Sequence, residues 1–121
     1  MKSNVTLVVG ATPNPERYSF LATALLAEKG FSVYPFGIKK GFINSTPIIN
    51  EWPAQGSIDT VTLYLGPAAQ ADYLDAIIKL APRRIIFNPG TENPILASLA
   101  AKNDIVTLEA CTLVLLKTGQ Y

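Results

Sequence analysis

Short runs of β-branched and aliphatic residues alternate with longer helical patterns along the chain. The first run, Val5 to Val9, is unbroken and stops at Gly10, which is typical of a strand buried on both faces. Further strands are predicted at residues 31–36, 58–65, 84–87 and 104–108. Helices are predicted in three of the intervals, at about 20–29, at 68–80 and from residue 94 onward.

Each predicted helix has apolar residues at three- and four-residue spacing. In the first helix, which ends before Gly30, the expected inward residues are Phe20, Leu21, Ala24, Leu25 and Ala27. In the second helix they are Ala71, Leu74, Ile77 and Ile78. The third helix is expected to have Asn93 as its N-cap and Pro94 as its first residue. Its expected inward residues are Ile95, Leu96, Leu99 and Ala100.

Two segments do not follow this alternation. Residues 39–57 are rich in Gly, Pro, Asn and Ser, and are predicted as a loop with one edge strand near Thr46 to Ile48. The apolar tail from Thr112 to Leu116 is compatible with a helix and with a strand, and its type is not assigned. Strands that alternate with helices indicate parallel crossovers and a sheet covered on both faces. The sequence therefore predicts one domain over residues 1–121, with an α/β, three-layer, doubly wound fold and a mostly parallel five-stranded sheet.

Composition narrows the classes of function. Of the 121 residues, 49% are apolar and 16% are charged, which excludes a disordered chain. Ten Lys and Arg against nine Asp and Glu give a net charge of +1, too little for a general field that would hold nucleic acid or a membrane surface. The apolar start of the chain is interrupted by Gly10 and Pro13, far short of the ~20 residues of a membrane span. A cytoplasmic protein is expected.

The chain has one cysteine, Cys111, and no histidine. This excludes a Ser-His-Asp or Cys-His nucleophile and imidazole-ligated zinc. Cys111 is expected to be a small buried hydrophobic residue and not a reactive thiol. Trp52, Tyr64 and Tyr73 are expected to be packing residues. We therefore predict no catalytic residue and no metal site.

Ligands of doubly wound sheets bind at the carboxyl ends of the strands. The first loop at that edge runs from Gly10 to Tyr18 into a helix start, where N–H groups and the helix dipole favour an anion. Gly10 permits close approach of a ligand, Thr12 offers a hydroxyl, and Arg17 can bind a phosphate with two hydrogen bonds. The loop has neither the Gly-x-Gly-x-x-Gly nor the Walker pattern. An ordinary strand-to-helix turn with a surface arginine is therefore an equal alternative.

The second loop, Phe36-Gly37-Ile38-Lys39-Lys40, has two lysines and no carboxylate at the end of its strand. NAD-binding domains place an Asp or Glu there to hold the ribose hydroxyls, so a free ribose diol is poorly supported. The positive charge favours a phosphorylated ribose, as in NADP or coenzyme A. The alternative is that Lys39 and Lys40 are solvated loop residues.

Two further loops, 65–67 and 88–93, present glycine, proline and amide groups. Asn88 has two candidate roles, a hydrogen bond to a ligand or a turn cap, and the cap is favoured. Glu92 is expected to interact with the dipole of the following helix and not to act as a general base.

Several short motifs occur in one order, VVGATPNP at 8–15, GFSVYP at 30–35, IDTVTLY at 58–64, IIFNPGTEN at 85–93 and EACTLV at 109–114. With these motifs the chain resembles, over essentially its whole length, the family of small stand-alone CoA-binding domains, which is similar to the nucleotide-binding domain of the succinyl-CoA synthetase α subunit. The resemblance implies a Rossmann-like fold that binds coenzyme A or an acyl-CoA at the carboxyl edge of its sheet. It implies that Gly10, Ala11 and Thr12 meet the diphosphate, joined by Arg17, and that residues 35–39 contact the adenosine end. The expected contact residues are Gly10, Ala11, Thr12, Pro13, Arg17, Tyr18, Phe36, Gly37, Lys39, Leu65, Asn88 and Gly90.

Phe36-Gly37-Ile38-Lys39 stands where many members of that family have Val-Asn-Pro-Lys, so one lysine is kept and the Asn and Pro contacts are lost. The ligase relatives catalyse with a histidine on a separate domain, and this chain has neither. We therefore expect a CoA-binding protein that is not an enzyme. Two alternatives stay open. One is an NADP-dependent reductase, and the other is a CoA-responsive interaction module, with a homodimer or another protein as its partner.

Overall fold

The computed structural model of the chain describes residues 5–121. It begins with β1 (Val5–Val9), α1 (Tyr18–Glu28) and β2 (Ser32–Phe36). β1 is almost entirely buried because the sheet is covered on both faces. α1 ends before Gly30, whose φ of +87° turns the chain in the left-handed conformation that glycine adopts without strain. The predicted first strand and first helix are confirmed.

The remaining elements follow in chain order. They are β3 (Phe42–Ile43), β4 (Thr46–Pro47), β5 (Thr60–Leu63), α2 (Pro67–Gln70), a 3₁₀ turn (Ala71–Tyr73), α3 (Leu74–Lys79), β6 (Arg84–Phe87), α4 (Pro94–Lys102), β7 (Val106–Glu109) and α5 (Thr112–Lys117). No helix within residues 5–121 has the length and apolar character needed to cross a membrane.

Five strands form one parallel sheet in the order β2-β1-β5-β6-β7. The register places Val9 beside Phe36 on one side and beside Leu63 on the other, so three strand ends lie level at one edge. From β1 the chain passes to β2 on one side and later returns to β5 on the other. This confirms the predicted α/β, Rossmann-like doubly wound architecture. The reversal of strand order between β1 and β5 marks the place where such sheets bind ligands.

Two apolar clusters lie on opposite faces of the sheet. On one face Leu63 belongs to a large cluster with Ile77 of α3 and Leu96 of α4. On the other face Val8 packs with Leu26 of α1, and α5 lies against the same cluster. Helices therefore cover both faces, which gives the three layers that the sequence predicts.

The buried face of α1 differs from the predicted one. Its buried residues are Ser19, Ala22, Thr23 and Leu26. Of the expected inward residues, Leu21 and Ala27 are exposed and Leu25 is half-buried. Phe20 and Ala24 pack against the β3–β4 hairpin instead of the sheet. Small side chains on the inner face of α1 let the helix approach the sheet closely. The prediction, which took the largest apolar residues as the inward ones, therefore assigned the wrong face of the helix.

The helix expected over residues 68–80 is broken into α2, the 3₁₀ turn and α3. Ala71, expected to face inward, is exposed, and Gln70 beside it is fully buried. Gln70 is buried because its side-chain amide donates hydrogen bonds to carbonyl groups inside the protein. Ile77 is buried in α3 as predicted.

Asn93 caps α4 as predicted. Its side-chain oxygen accepts hydrogen bonds from the N–H groups of Ile95 at 3.1 Å and Leu96 at 3.4 Å. Leu96 and Ala100, one turn apart, face the sheet and are fully buried. Ile95 was expected to face inward and is 66% exposed, because it lies about 100° around the helix from Leu96.

The segment predicted as a loop contains an antiparallel hairpin that is separate from the main sheet. In it Thr46 pairs with Ile43, so the predicted edge strand near Thr46 does not join the main sheet. Ile49 instead forms a single parallel bridge to Phe36 at the end of β2. The strand expected from Asp104 begins later, because Asp104 has a φ of +59° and turns the chain after α4. The unassigned apolar tail is the helix α5.

Candidate functional site

A cleft of about 670 Å³ opens at the carboxyl edge of the sheet, around the ends of β1, β2 and β5. Its volume lies within the range of small-molecule sites. Nine of the twelve contact residues expected from the sequence line it, namely Gly10, Ala11, Thr12, Arg17, Tyr18, Phe36, Gly37, Lys39 and Leu65. The fold thus brings the first two loops together at the reversal of strand order.

Two of the expected contact residues, Pro13 and Gly90, do not line the cleft. Pro13 does not line the cleft, and its Cβ is 3.1 Å from the position that a Cβ on Gly41 would occupy. Gly90 is exposed in the loop after β6, and its N–H donates to the Glu92 carboxylate at 2.9 Å. Neither position is part of the cleft wall.

Asn88 is also outside the cleft, because its side chain is used inside the protein. The amide donates to the Thr62 hydroxyl at 2.7 Å and to the Leu63 carbonyl at 2.8 Å. Its oxygen accepts from the N–H of Thr112, the first residue of α5, at 2.8 Å. Asn88 therefore joins β5, β6 and α5. Its side chain does not cap its own turn as predicted, and instead it accepts from the first N–H of α5, a helix distant in sequence.

One backbone carbonyl connects the ends of β1 and β2. The N–H groups of Gly10 and Ala11 both donate to the carbonyl oxygen of Phe36, at 3.0 Å and 2.9 Å. Both N–H groups are therefore engaged within the protein. These two residues shape the cleft through the path of their backbone.

Two glycines permit this close approach. A Cβ on Gly37 would lie 2.3 Å from the carbonyl oxygen of Ala11, far inside any allowed contact. Gly10 has a φ of +100°, and a Cβ there would lie 3.1 Å from the Leu65 side chain. The backbones of the first two loops, and of the loop that begins after β5, thus lie in direct contact. At Gly37 this contact leaves no room for any side chain.

The segment after the hairpin holds the second loop in place. The side-chain amide of Asn50 donates to the carbonyl of Gly37 at 2.7 Å and to the carbonyl of Lys39 at 3.0 Å. The N–H of Gly37 donates in turn to the carbonyl of Ile49 at 3.1 Å. This arrangement fixes the turn that carries Ile38, which is 86% exposed, and Lys39 at the rim of the cleft.

Two cations lie at the cleft, Arg17 at the start of α1 and Lys39 in the second loop. Both side chains are exposed, and within residues 5–121 neither forms a salt bridge. Asp72 is the only carboxylate that lines the cleft in the described part of the chain. Unpaired cations at a concave surface favour an anionic ligand.

An aromatic group forms one wall. The ring of Phe36 lies edge-on to the rings of Trp52, at 4.9 Å between centroids, and of Tyr73, at 5.8 Å. Trp52 stacks on Tyr73 at 5.6 Å. Trp52 and Tyr73 therefore pack as the sequence predicts, and Tyr73 also lines the cleft.

A buried amide supports the opposite wall. The Gln70 side chain donates to the carbonyls of Leu65 and Thr91, each at 2.8 Å, and accepts from the Asn93 amide at 2.9 Å. It thereby links the loops that follow β5 and β6. Tyr64, beside this wall, packs toward Leu26 on the other face. Burial raises the pKa of the Tyr64 hydroxyl far above its ordinary value, so the group is neutral at pH 7.

Half of the lining residues are not among the twelve contact residues named from the sequence. They are Asn14, Ser19, Ile38, Tyr64, Ala69, Asp72, Tyr73, Pro89 and Thr91. Ile38 lies within the segment 35–39 that the resemblance assigns to the adenosine end, and the strand-end rule applied to whole loops includes Pro89 as well. Asp72 and Tyr73 reach the cleft only because the helix between β5 and β6 breaks at the 3₁₀ turn.

Comparisons with known proteins identify a matching family and solved structures of the same fold. A family model described as a CoA binding domain matches residues 4–117. A crystal structure of an uncharacterized protein shares 43% sequence identity over 98% of each chain, with a TM-score of 0.93. No curated protein sequence matches the chain.

Two further solved structures show the same fold at lower identity. A hypothetical protein from Pyrococcus horikoshii OT3 is 23% identical, with 93% of this chain and 80% of that chain covered and a TM-score of 0.81. A protein from Thermus thermophilus is 19% identical, with 98% and 90% covered and a TM-score of 0.83.

The contact between the first two loops predicts the effect of adding one methyl group. Gly37→Ala should lower the free energy of unfolding by about 2–3 kcal/mol, because its Cβ would overlap the Ala11 carbonyl and the loops must separate. Urea unfolding measures the loss. The matched control is Gly66→Ala, where φ is −68° and the nearest atom to a Cβ is 4.0 Å away, with an expected loss below about 1 kcal/mol. Equal losses in the two variants would contradict the proposed packing.

Proposed function

The chain belongs to the CoA-binding domain family, and from this premise we propose that it binds coenzyme A or an acyl-CoA in the cleft at the carboxyl edge of the sheet. The observation that carries the proposal is a pair of exposed cations on two loops of one concave site, Arg17 and Lys39, neither of which forms a salt bridge within residues 5–121. Coenzyme A has phosphate groups at two separate places, the diphosphate and the 3′-phosphate of the ribose. Two separate cations match this distribution of charge.

In this proposal the diphosphate lies beside Arg17 and the start of α1. A guanidinium can form two parallel hydrogen bonds with phosphate oxygens, and a helix start adds a favourable dipole. The 3′-phosphate lies beside Lys39, whose position is supported by the hydrogen bonds of Asn50 to the same turn. The adenine lies near Ile38, an exposed apolar side chain that gains a contact when a base covers it.

We propose binding without catalysis by this chain. It has no histidine, and the Tyr64 hydroxyl near the cleft packs toward the far face with a raised pKa, which makes it a poor proton donor. The carboxylate of Asp72 forms no hydrogen bond or salt bridge with another side chain among residues 5–121, so no activated pair is present there. Whether free coenzyme A or a thioester occupies the site depends on the affinity and on the concentration of each.

A second candidate ligand is NADP, in line with the alternative of a reductase. Lys39 and the absence of a carboxylate at the end of β2 favour any ribose that carries a phosphate. The first loop, however, has Thr12 and Pro15 where a dinucleotide fingerprint has glycines. Titration with NADPH alongside coenzyme A distinguishes the two ligands.

Coenzyme A should stabilise the folded protein. At a ligand concentration one hundred times the Kd, binding adds about 2.7 kcal/mol to stability, which raises the Tm by several degrees. Arg17→Glu should weaken binding at least about tenfold, because it puts a negative charge beside the diphosphate. Calorimetry and thermal unfolding measure both effects. Lys40→Glu makes the same change in net charge at an exposed position outside the cleft lining and should bind like the wild type. No response at millimolar coenzyme A, with Arg17→Glu equal to wild type, would overturn the proposal.

The assignment of the 3′-phosphate to Lys39 makes a separate prediction. Lys39→Glu should lower the affinity for coenzyme A by at least about tenfold more than the affinity for dephospho-CoA, since only the former has a phosphate beside this residue. Competition calorimetry with the two ligands gives the difference. If Lys39→Glu weakens both ligands equally, the 3′-phosphate is bound elsewhere.

A further inference from the structure

We propose that the outer side of α1 is the surface through which a second copy of this chain docks. The two α1 helices lie antiparallel in this dimer, with Arg17 of each copy beside Glu28 of the other. The surface shares one charged group with the ligand site, because Arg17 also lines the cleft. The expected effect of coenzyme A on the dimer therefore rests on the proposed function, whereas the interface itself does not.

One side of α1 is open to solvent. The sheet covers its inner side, and the β3–β4 hairpin covers another. The open side has three exposed residues, Arg17, Leu21 and Glu28, together with the half-buried Ala24. These four positions are separated by four, three and four residues, a spacing that places side chains along one stripe of an α-helix. Helices that pack side by side use the same spacing at their shared seam.

The stripe is complementary to itself when it is turned end for end. If two copies of α1 lie antiparallel about their midpoints, Arg17 of one copy meets Glu28 of the other. Leu21 then meets Ala24, so a large apolar side chain lies over a small one and the helices can approach closely. Each of these contacts occurs twice. A two-fold symmetric interface requires this kind of self-complementarity, in which one patch serves both copies.

The charges at the two ends of α1 favour the antiparallel arrangement. Arg17 is the N-cap, at the positive end of the helix dipole, and Glu28 is the last residue, at the negative end. Each charge therefore interacts unfavourably with the dipole of its own helix. Within residues 5–121 neither forms a salt bridge. An antiparallel copy brings an opposite charge to each end of the helix, and it also brings Glu16 beside Lys29.

Exposed apolar residues extend the surface beyond the stripe. α5 packs in the same apolar cluster as α1, and its Val114 is 54% exposed, on the side opposite to the buried Thr112 and Leu116. Tyr18, at the start of α1, is 70% exposed. A helix of 11 residues is only about 16 Å long, so this interface is smaller than the roughly 800 Å² per partner of stable complexes. The dimer is therefore expected to be weak, with a dissociation constant in the micromolar range.

Coenzyme A and the second copy use the same guanidinium. In the proposed function the diphosphate lies beside Arg17, and in the dimer the Glu28 carboxylate of the other copy lies there. Two anionic groups at one guanidinium repel each other, so each weakens the binding of the other. The dimer is therefore the form of the ligand-free protein, and coenzyme A favours the monomer.

Sedimentation velocity of the complete chain, at low salt and up to millimolar concentration, measures the dimer. Glu28→Arg should raise the dissociation constant at least about tenfold, because both contacts then join two arginines. Arg17→Glu combined with Glu28→Arg restores opposite charges and should dimerise within about threefold of wild type. Glu109→Arg makes the same change in charge at an exposed position on β7, at the far edge of the sheet from β2, and should dimerise like wild type.

Two further measurements separate association from folding and from ligand binding. The Tm of Glu28→Arg should be unchanged or higher, because a positive charge at the end of α1 interacts favourably with the helix dipole. Glu28→Arg should also bind coenzyme A at least as tightly as wild type. Saturating coenzyme A should raise the dissociation constant of the wild-type dimer at least about tenfold.

The outcomes distinguish the inference from the proposed function. If the wild type stays monomeric, or if the double variant does not recover the dimer that Glu28→Arg loses, the inference is wrong and the proposed function is unaffected. If coenzyme A binds and leaves the dimer intact, the shared use of Arg17 is wrong. If the charge exchange restores the dimer and coenzyme A does not bind, the interface stands and the proposed function is wrong.

Discussion

A single carbonyl oxygen, that of Phe36, holds the ends of the first two strands together. It accepts hydrogen bonds from two consecutive N–H groups, those of Gly10 and Ala11. This brings the two loops so close that Gly37 has no room for a side chain. The path of both loops away from the sheet, and hence the shape of the cleft between them, follows from this contact.

The same contact determines which groups remain for a ligand. Since the N–H groups of Gly10 and Ala11 donate to the protein itself, the exposed charges of Arg17 and Lys39 remain available at the cleft. Two side-chain amides hold the surrounding loops in place, one exposed and one buried. Asn50 supports the turn that carries Lys39, and Gln70 links the loops after β5 and β6. The candidate site is thus a set of loops tied together by hydrogen bonds, with two exposed cations and the Asp72 carboxylate in its lining.

Much of this arrangement is predictable from the sequence, and the remainder has a physical explanation. Runs such as Val5–Val9 identify the strands because burial on both faces requires continuous apolar residues, and the order of elements predicts the doubly wound fold. The helix faces are less predictable, because close packing places small residues such as Ser19 inward. A buried Gln70 or a structural Asn88 depends on partners distant in the sequence. The Phe36 carbonyl belongs to the backbone, so no side-chain pattern identifies it.

The central claim is that coenzyme A occupies the cleft with its diphosphate at the start of α1. The most direct test is a crystal structure of the protein grown with millimolar coenzyme A at low salt. The diphosphate is expected within hydrogen-bond distance of Arg17 at the start of α1, and the adenosine end is expected beside Ile38 and Lys39. Coenzyme A bound away from the carboxyl edge of the sheet, or a cleft without ligand at that concentration, would contradict the claim.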